Sequence, residues 1–255
     1  MRNACQENLE KYKDPAGYDV LYNGYVEDLA YIVETASSTD GPVIELACGT
    51  GRLAIPMASR GYRVIGVDIH EGMLALARYK AEQEKLDIAF YRQDCTKLDL
   101  DLKAPLIYMT GNSFQHFLMN DSQDAMFESV KRHLQPHGHF IFDTRNPILG
   151  ELAEVYEHTM QKKDGSAVRM EMEKEVYDPV TQILHCTTVI ETVEKGEVAR
   201  VEKSSISLRY TYPQELLRLI EEHDFELVSL FGDWKKAAFS KDSTSMAVHL
   251  SLIHI

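Results

Sequence analysis

The chain has only four cysteines, Cys5, Cys48, Cys95 and Cys186, and none stands in a C-x-x-C pair. That spacing leaves no readable zinc ribbon or thioredoxin-like motif. H-E-x-x-H is absent, and the ten histidines show no ligand spacing, so no catalytic metal is expected. His133, His137 and His139 gather around a turn, where solvated side chains are expected. Basic residues are also scarce. Lys and Arg number 27 against 40 Asp and Glu, a net charge of −13. A protein that grips a nucleic-acid backbone usually carries a basic face, so nucleic acid is disfavoured as a partner. No apolar run approaches the roughly 20 residues that cross a bilayer. "MRNACQENLEKYKDPAG" lacks the apolar core of a signal peptide. The expectation is a reduced, cytoplasmic protein with no membrane partner. Internal repeats and low-complexity tracts are missing as well.

The chain is 44% hydrophobic and 26% charged over 255 residues, which suits one large domain with a real core, or one domain with an insertion. Residues 17–40 place Leu21, Tyr25, Leu29 and Ile32 at helical spacing, predicting an amphipathic helix with Tyr18, Tyr22 and Tyr25 near its packed face. Strands are expected at Val43–Ala47, Tyr62–Asp68, Ile88–Arg92, Leu106–Thr110 and His139–Asp143. Helices are expected at Arg52–Ser59, Glu71–Lys85 and Asp121–Leu134. Such alternation with short connections argues for an α/β fold, a mostly parallel sheet with helices on both faces. Cys48 and Cys95 fall at strand ends, where free thiols behave as small core hydrophobes. The pattern changes over 165–210, where Val, Thr and Ile alternate with charges between the turn signals "DPVT" and "EKGE". This predicts an antiparallel meander of three or four strands over the carboxyl edge of the sheet. Helix returns at Pro213–His223 and strand in "FELVSLFGDW" and "SMAVHLSLIHI", with Trp234 packing in the core or the roof.

Ligands on such sheets bind outside the carboxyl ends of the strands. The first end carries "VIELACGTGRLA", which is both G-x-G-x-x-A and E-x-x-x-G-x-G. Asp68 follows Gly49 by nineteen residues, close to the spacing of the ribose acid in dinucleotide-binding loops, so spacing alone leaves the ligand open. A phosphate-binding P-loop sequence is absent, and no tyrosine has lysine four residues later, as short-chain dehydrogenases require. S-adenosylmethionine would need close backbone approach, an acid for the ribose and polar partners for adenine. Gly49 and Gly51 permit the approach. Asp68 can accept from both ribose hydroxyls, Asp94-Cys95 reaches the adenine edge, and Ile69 and Met73 can sandwich its plane. Glu45 either meets the ammonium of the amino-acid tail or braces the loop's N–H groups. Ala47, at the end of the first strand, and Thr110, after the fourth, complete the donor set.

These residues together resemble the class I, Rossmann-like S-adenosylmethionine-dependent methyltransferases. "VIELACGTGR" is similar to their first motif, "VIGVDIHEGMLALAR" to their second and "YRQDCTKLDL" to their third. The resemblance covers 17–147 and, in outline, 210–255. It implies a Rossmann-like seven-stranded sheet, a donor-binding core over 1–149 and 211–255 with a helical cap over about 1–40, and an antiparallel β insertion over 150–210. Such an insertion is similar to the roof of small-molecule N-methyltransferases acting on glycine or amino sugars. The implied activity is methyl transfer to nitrogen or oxygen of a small-molecule acceptor, leaving S-adenosylhomocysteine. By the same resemblance Tyr18 and Tyr22 close over the donor, Tyr22 lining the transfer site, and His116 is the base or acceptor anchor. The relatives' Arg-rich stretch after the tyrosine is replaced here by the acidic "NGYVED" at 23–28, with Arg52 as the substitute. Asn112, Arg145 and Asn146 stand at the acceptor edge. Arg145 binds an acceptor carboxylate or phosphate, or else pairs with Asp143. Three other readings stay open: a transfer-RNA methyltransferase, a nucleoside-binding module without chemistry, and a dinucleotide oxidoreductase. Exposed meander edges allow a homodimer.

Overall fold

The computed structural model describes residues 8–152, 156–164, 167–194 and 197–253. Residues 1–7, Cys5 among them, and the centre of the "EKGE" turn lie outside the described residues. Eleven strands form two sheets. Strands β1 (Val43–Leu46), β2 (Val64–Asp68), β3 (Ala89–Arg92), β4 (Ala104–Met109) and β5 (Leu134–Arg145) belong to the larger sheet, with β10 (Phe225–Phe231) and β11 (Ser245–Leu252). Its order is β10-β11-β5-β4-β1-β2-β3, and β11 alone runs antiparallel to its neighbours. The second sheet is a four-strand meander of β6 (Tyr156–Asp164), β7 (Ala167–Asp178), β8 (Ile183–Glu194) and β9 (Glu197–Arg209), so it begins before residue 165.

Seven helices accompany the sheets among the described residues: α1 (Pro15–Tyr22), α2 (Leu29–Ser37), α3 (Ala54–Ala58), α4 (Glu71–Gln83), α5 (Asn120–His133), α6 (Leu149–Leu152) and α7 (Pro213–Glu222). Every residue of β1, β2 and β4 is buried, as expected of central parallel strands covered on both faces. One apolar cluster joins Phe140 and Phe142 to α5 through Phe127 and to α7 through Leu216 and Ile220. The other joins Val43 and Tyr108 to α2 through Ile32 and to α3 through Leu53 and Met57, and it includes Trp234. Met73, Leu74, Ala77 and Ala81 are the buried positions of α4, and Cys48 and Cys95 are buried. Pro56 is the third residue of α3, where its missing N–H costs no intrahelical bond.

Two expectations fail. The helix over 17–40 is two helices, parted at "NGYVED" by an Asn-Gly break. Helix α1 buries none of its residues, and Leu21 is 70% exposed; only Ile32, Thr35 and Ala36 of α2 reach the core. The helical spacing was real, but the break rotates Leu21 and Tyr25 off the face that carries Ile32. The histidine turn is solvated only in part: His137 is exposed, but His133 and His139 are not. His133 is buried: Nδ1 donates to the carbonyl of Ser129 (2.8 Å), and Nε2 accepts from the amide of Leu100 (3.1 Å). His139 lies 3.0 Å from His249, Nδ1 to Nε2. His133 closes α5, and the strand β5 begins at Leu134, earlier than its apolar run suggests, so that His139 lies within the sheet.

Candidate functional site

In the larger sheet, β1 pairs with β2 on one side and β4 on the other, which makes their carboxyl ends the topological switch point. One cleft opens there. Glu45, Ala47, Cys48, Gly49, Thr50 and Arg52 line it after β1, Asp68, Ile69 and Met73 after β2, Asp94 and Cys95 after β3, and Thr110, Gly111, Ser113 and His116 after β4. Leu9, Tyr12, Tyr18 and Tyr22 close it from the N-terminal segment. The structure therefore brings the residues assigned to the donor into one cavity with Tyr22 and His116, except Gly51, whose Cα faces Ile55 and Ala77 instead.

The loop after β1 turns through three left-handed residues, Ala47 (φ 52°), Gly49 (φ 55°) and Gly51 (φ 82°). Glycine adopts that region at little cost, whereas Ala47 is held there by its surroundings. Asp68 ties the loop to β2: Oδ2 accepts from the amide of Gly49 and Oδ1 from that of His70, each at 2.8 Å. Burial raises its pKa, and those two amides draw it back. Asp94 caps the turn at Cys95–Lys97 through Oδ1, which takes the amide and hydroxyl of Thr96 at 2.9 and 2.8 Å. Its Oδ2 carries no such bond and is the spare acceptor at this end of the cleft.

Glu45 sits under the loop, 4% exposed, with the Tyr108 hydroxyl donating to Oε2 at 3.4 Å and the amide of Ala54 donating to it as well. Desolvation pushes its pKa up to about 8, against the pull of Arg52. Asp143, also buried, is pushed to about 7 by the same cause. It accepts from the amide of Asn112 at 2.8 Å and from the indole of Trp234, and so holds Asn112 left-handed (φ 58°). Arg52 is the one cationic side chain lining the cleft among the described residues, apart from His116. Its guanidinium grips the fully buried Asp28 twice, at 2.8 and 2.5 Å, and donates to the carbonyl of Tyr25 and the hydroxyl of Thr110.

At the far end His116 meets two groups. Tyr12 Oη lies 2.8 Å from Nε2 and Asn8 Nδ2 lies 3.2 Å from Nδ1. Burial pushes the imidazole down to about 4 and the Tyr12 phenol upward, so both are neutral at pH 7. Asn112, Arg145 and Asn146 line a separate cleft with Tyr210, across the Thr110–Ser113 loop from the first. Arg145 donates to the Tyr210 hydroxyl and not to Asp143, whose partners are Asn112 and Trp234, so the expected Asp143–Arg145 pair is absent. Asn146 Nδ2 donates to the carbonyl of Ser243. Asn8, Leu9 and Tyr12 lie in a polar stretch without periodicity that does not mark them, and nothing local marks the Asp28–Arg52 pair, whose members are 24 residues apart.

The residues present fit a cationic nucleoside better than a dinucleotide. Three carboxylates, Glu45, Asp68 and Asp94, face one guanidinium already committed to Asp28. A pyrophosphate there would meet acids. A sulfonium and an ammonium would meet partners of opposite charge. Among the described residues no group of three or more His, Cys, Asp or Glu could hold a metal ion, and no helix is long and apolar enough to cross a membrane.

Comparison with known proteins agrees. A family model described as a methyltransferase domain matches residues 43–138. YqeM of Bacillus subtilis, provisionally assigned as a methyltransferase, is 30% identical over 125 residues, 49% of each chain. The chain spans about half the length of the first curated relatives it matches. An S-adenosylmethionine-dependent methyltransferase from Clostridium acetobutylicum superposes with a TM-score of 0.78 at 18% identity, covering 99% of this chain and 100% of that one. The CcbJ methyltransferase from Streptomyces caelestis gives 0.74 at 26% identity, over 89% and 96%. An amino pentose methyltransferase and a sugar N-methyltransferase share the layout at a TM-score of 0.72 each. Residues 43–138 match a methyltransferase domain, and the chain carries the Rossmann-like fold seen in S-adenosylmethionine-dependent methyltransferases.

Proposed function

We propose that the protein transfers a methyl group from S-adenosylmethionine to a nitrogen or oxygen of a small molecule. The observation that carries this is the acidic cleft at the switch point, which runs from the Gly49–Gly51 loop to the Tyr12–His116 pair. In the reaction the donor supplies a sulfonium methyl, which an acceptor lone pair takes as the S–C bonding pair returns to sulfur and leaves S-adenosylhomocysteine. Asp68 would hold the ribose hydroxyls and Asp94 the adenine amino group through Oδ2. Ile69 and Met73 would flank the ring, while Ala47, Gly49, Gly51, Cys95 and Thr110 shape the backbone wall. Glu45 and Arg52 sit where the amino-acid tail would lie, and Tyr18 and Tyr22 cover it. Transfer needs positioning more than chemistry from the protein, which alone supplies several kcal/mol.

We assign 1–149 and 211–255 to donor binding, and the insertion over 150–210 to roofing the acceptor. Arg145, with Asn112 and Asn146, would take an acidic group on the acceptor's distal end. The thiols Cys48, Cys95 and Cys186, none in a disulfide among the described residues, suit a cytoplasmic setting, and the outer edge of β6 is where a homodimer would pair. The test is calorimetric titration with S-adenosylmethionine, S-adenosylhomocysteine and NADH. Micromolar binding of the first two without NADH supports the reading. NADH binding alone overturns it. A transfer-RNA acceptor would show affinity falling steeply with salt, which the net charge of −13 argues against.

A further inference from the structure

The N-terminal segment reaches across the cleft and docks on the outer edge of β9, the end strand of the insertion. It does so through side chains that imitate a neighbouring strand. Asn8 Oδ1 accepts from the amide of Ser207, and Asn8 Nδ2 donates to the carbonyl of the same residue, both at 2.7 Å. Two residues on, Glu10 Oε2 accepts from the amide and hydroxyl of Ser205 at 3.0 and 2.9 Å. The pair of bonds to Ser207 fixes which way the Asn8 amide points. Turned over, it would set oxygen against oxygen and N–H against N–H.

With that orientation fixed, the second N–H of Asn8 points at His116 Nδ1. An imidazole nitrogen facing an N–H must present its lone pair. The neutral ring then carries its proton on Nε2 and donates it to Tyr12 Oη. We infer that Asn8 is a positioning residue that sets the tautomer of His116, so that the histidine serves the acceptor as the donor that orients Tyr12 and not as a base. The inference rests on the methyltransferase reading for its role but not for its chemistry. The basic lone pair of His116 is occupied by the Asn8 amide. An acceptor must therefore bring its own lone pair, an amine already deprotonated or an oxygen needing no base here. Asn8 and Tyr12 lie on one short segment, so the hydrogen-bond direction at the transfer site is established only when that segment is docked on β9.

The experiment is a long-range proton–nitrogen correlation spectrum of the ligand-free, histidine-labelled full chain at pH 7, with His116 assigned by loss of its signals in H116Q. The expected result is a neutral ring protonated at Nε2. Asn8→Ala should shift the tautomer ratio toward Nδ1–H by about fivefold, the equivalent of one hydrogen bond of ~1 kcal/mol. Glu10→Ala removes the contact to Ser205 but leaves the two Asn8–Ser207 bonds that dock the segment at the ring and hold the amide, so it should leave the ratio alone. A ring protonated at Nδ1 in the wild type overturns the inference. So does an unchanged ratio in Asn8→Ala, or the same change in Glu10→Ala. Because no ligand is present, failure of donor binding in the calorimeter would remove the methyltransferase reading and leave the tautomer result standing.

Discussion

Replacing Arg52 with alanine should cost more stability than any single apolar truncation around the cleft. Its guanidinium makes four hydrogen bonds, two of them to an Asp28 side chain that is 0% exposed, while its own is 16% exposed. Breaking one partner of a buried pair leaves the other as an uncompensated charge, and such changes cost about 3–5 kcal/mol. Glu45 adds little to the loss at pH 7, because burial already holds its pKa at about 8 and keeps it protonated. For a chain of this size the expected fall in Tm is about 6–20 °C, at roughly 2–4 °C per kcal/mol. Urea denaturation of R52A, D28L and the double variant D28L/R52M gives the coupling. The double variant should lose far less than the sum of the single ones, since an apolar replacement of both charges is often nearly neutral. A loss in R52A under about 1 kcal/mol, or additive losses in the double variant, would refute the claim that this pair is buried and mutually dependent.

Other outcomes follow from the donor end. Asp68→Ala should weaken S-adenosylmethionine about 10- to 100-fold by calorimetry, since charge-assisted bonds contribute about 1.5–3 kcal/mol; unchanged affinity would remove Asp68 from the ribose site. Glu45, raised to about 8, is protonated at pH 7, and a cationic ligand favours its carboxylate. Binding should therefore release a proton, the measured enthalpy should depend on the buffer's ionisation heat, and affinity should rise with pH until about pH 8. Glu45→Gln should abolish the buffer dependence, and a wild type without it would contradict the placement of Glu45 beside the ligand.

The sheet was legible because its strands are continuous apolar runs cut by Gly and Asp at their carboxyl ends. "VIELACGTGR" needed only its strand-loop-helix context to be read as a site, and Asp68 and Asp94 follow from their places after β2 and β3. What escaped has no local signature. Asn8 and Tyr12 act through partners 199 and 104 residues away, and nothing in "ENLEKY" marks either. The one periodic stretch that misled, 17–40, carried a break signal at Asn23-Gly24, and apolar spacing outweighed it in the reading. His133 and His139 looked solvated because a turn surrounds them, yet α5 buries His133 at its last residue and β5 starts five residues earlier than its hydrophobic run, taking in His139.

The place of β11 has a consequence for synthesis. It is the last described strand in sequence, yet it lies inside the sheet, between β5 and β10. On a translating ribosome β5 must wait for it. At about 5–20 residues per second, the stretch from Arg145 to Ser245 takes roughly 5–20 s, during which one edge of β5 has no neighbour. The four-strand meander is made in that interval and can form from local hairpins alone. The nascent chain therefore passes through a stage with a finished meander beside an unfinished sheet, and that open edge is where a chaperone or a second nascent chain would engage it.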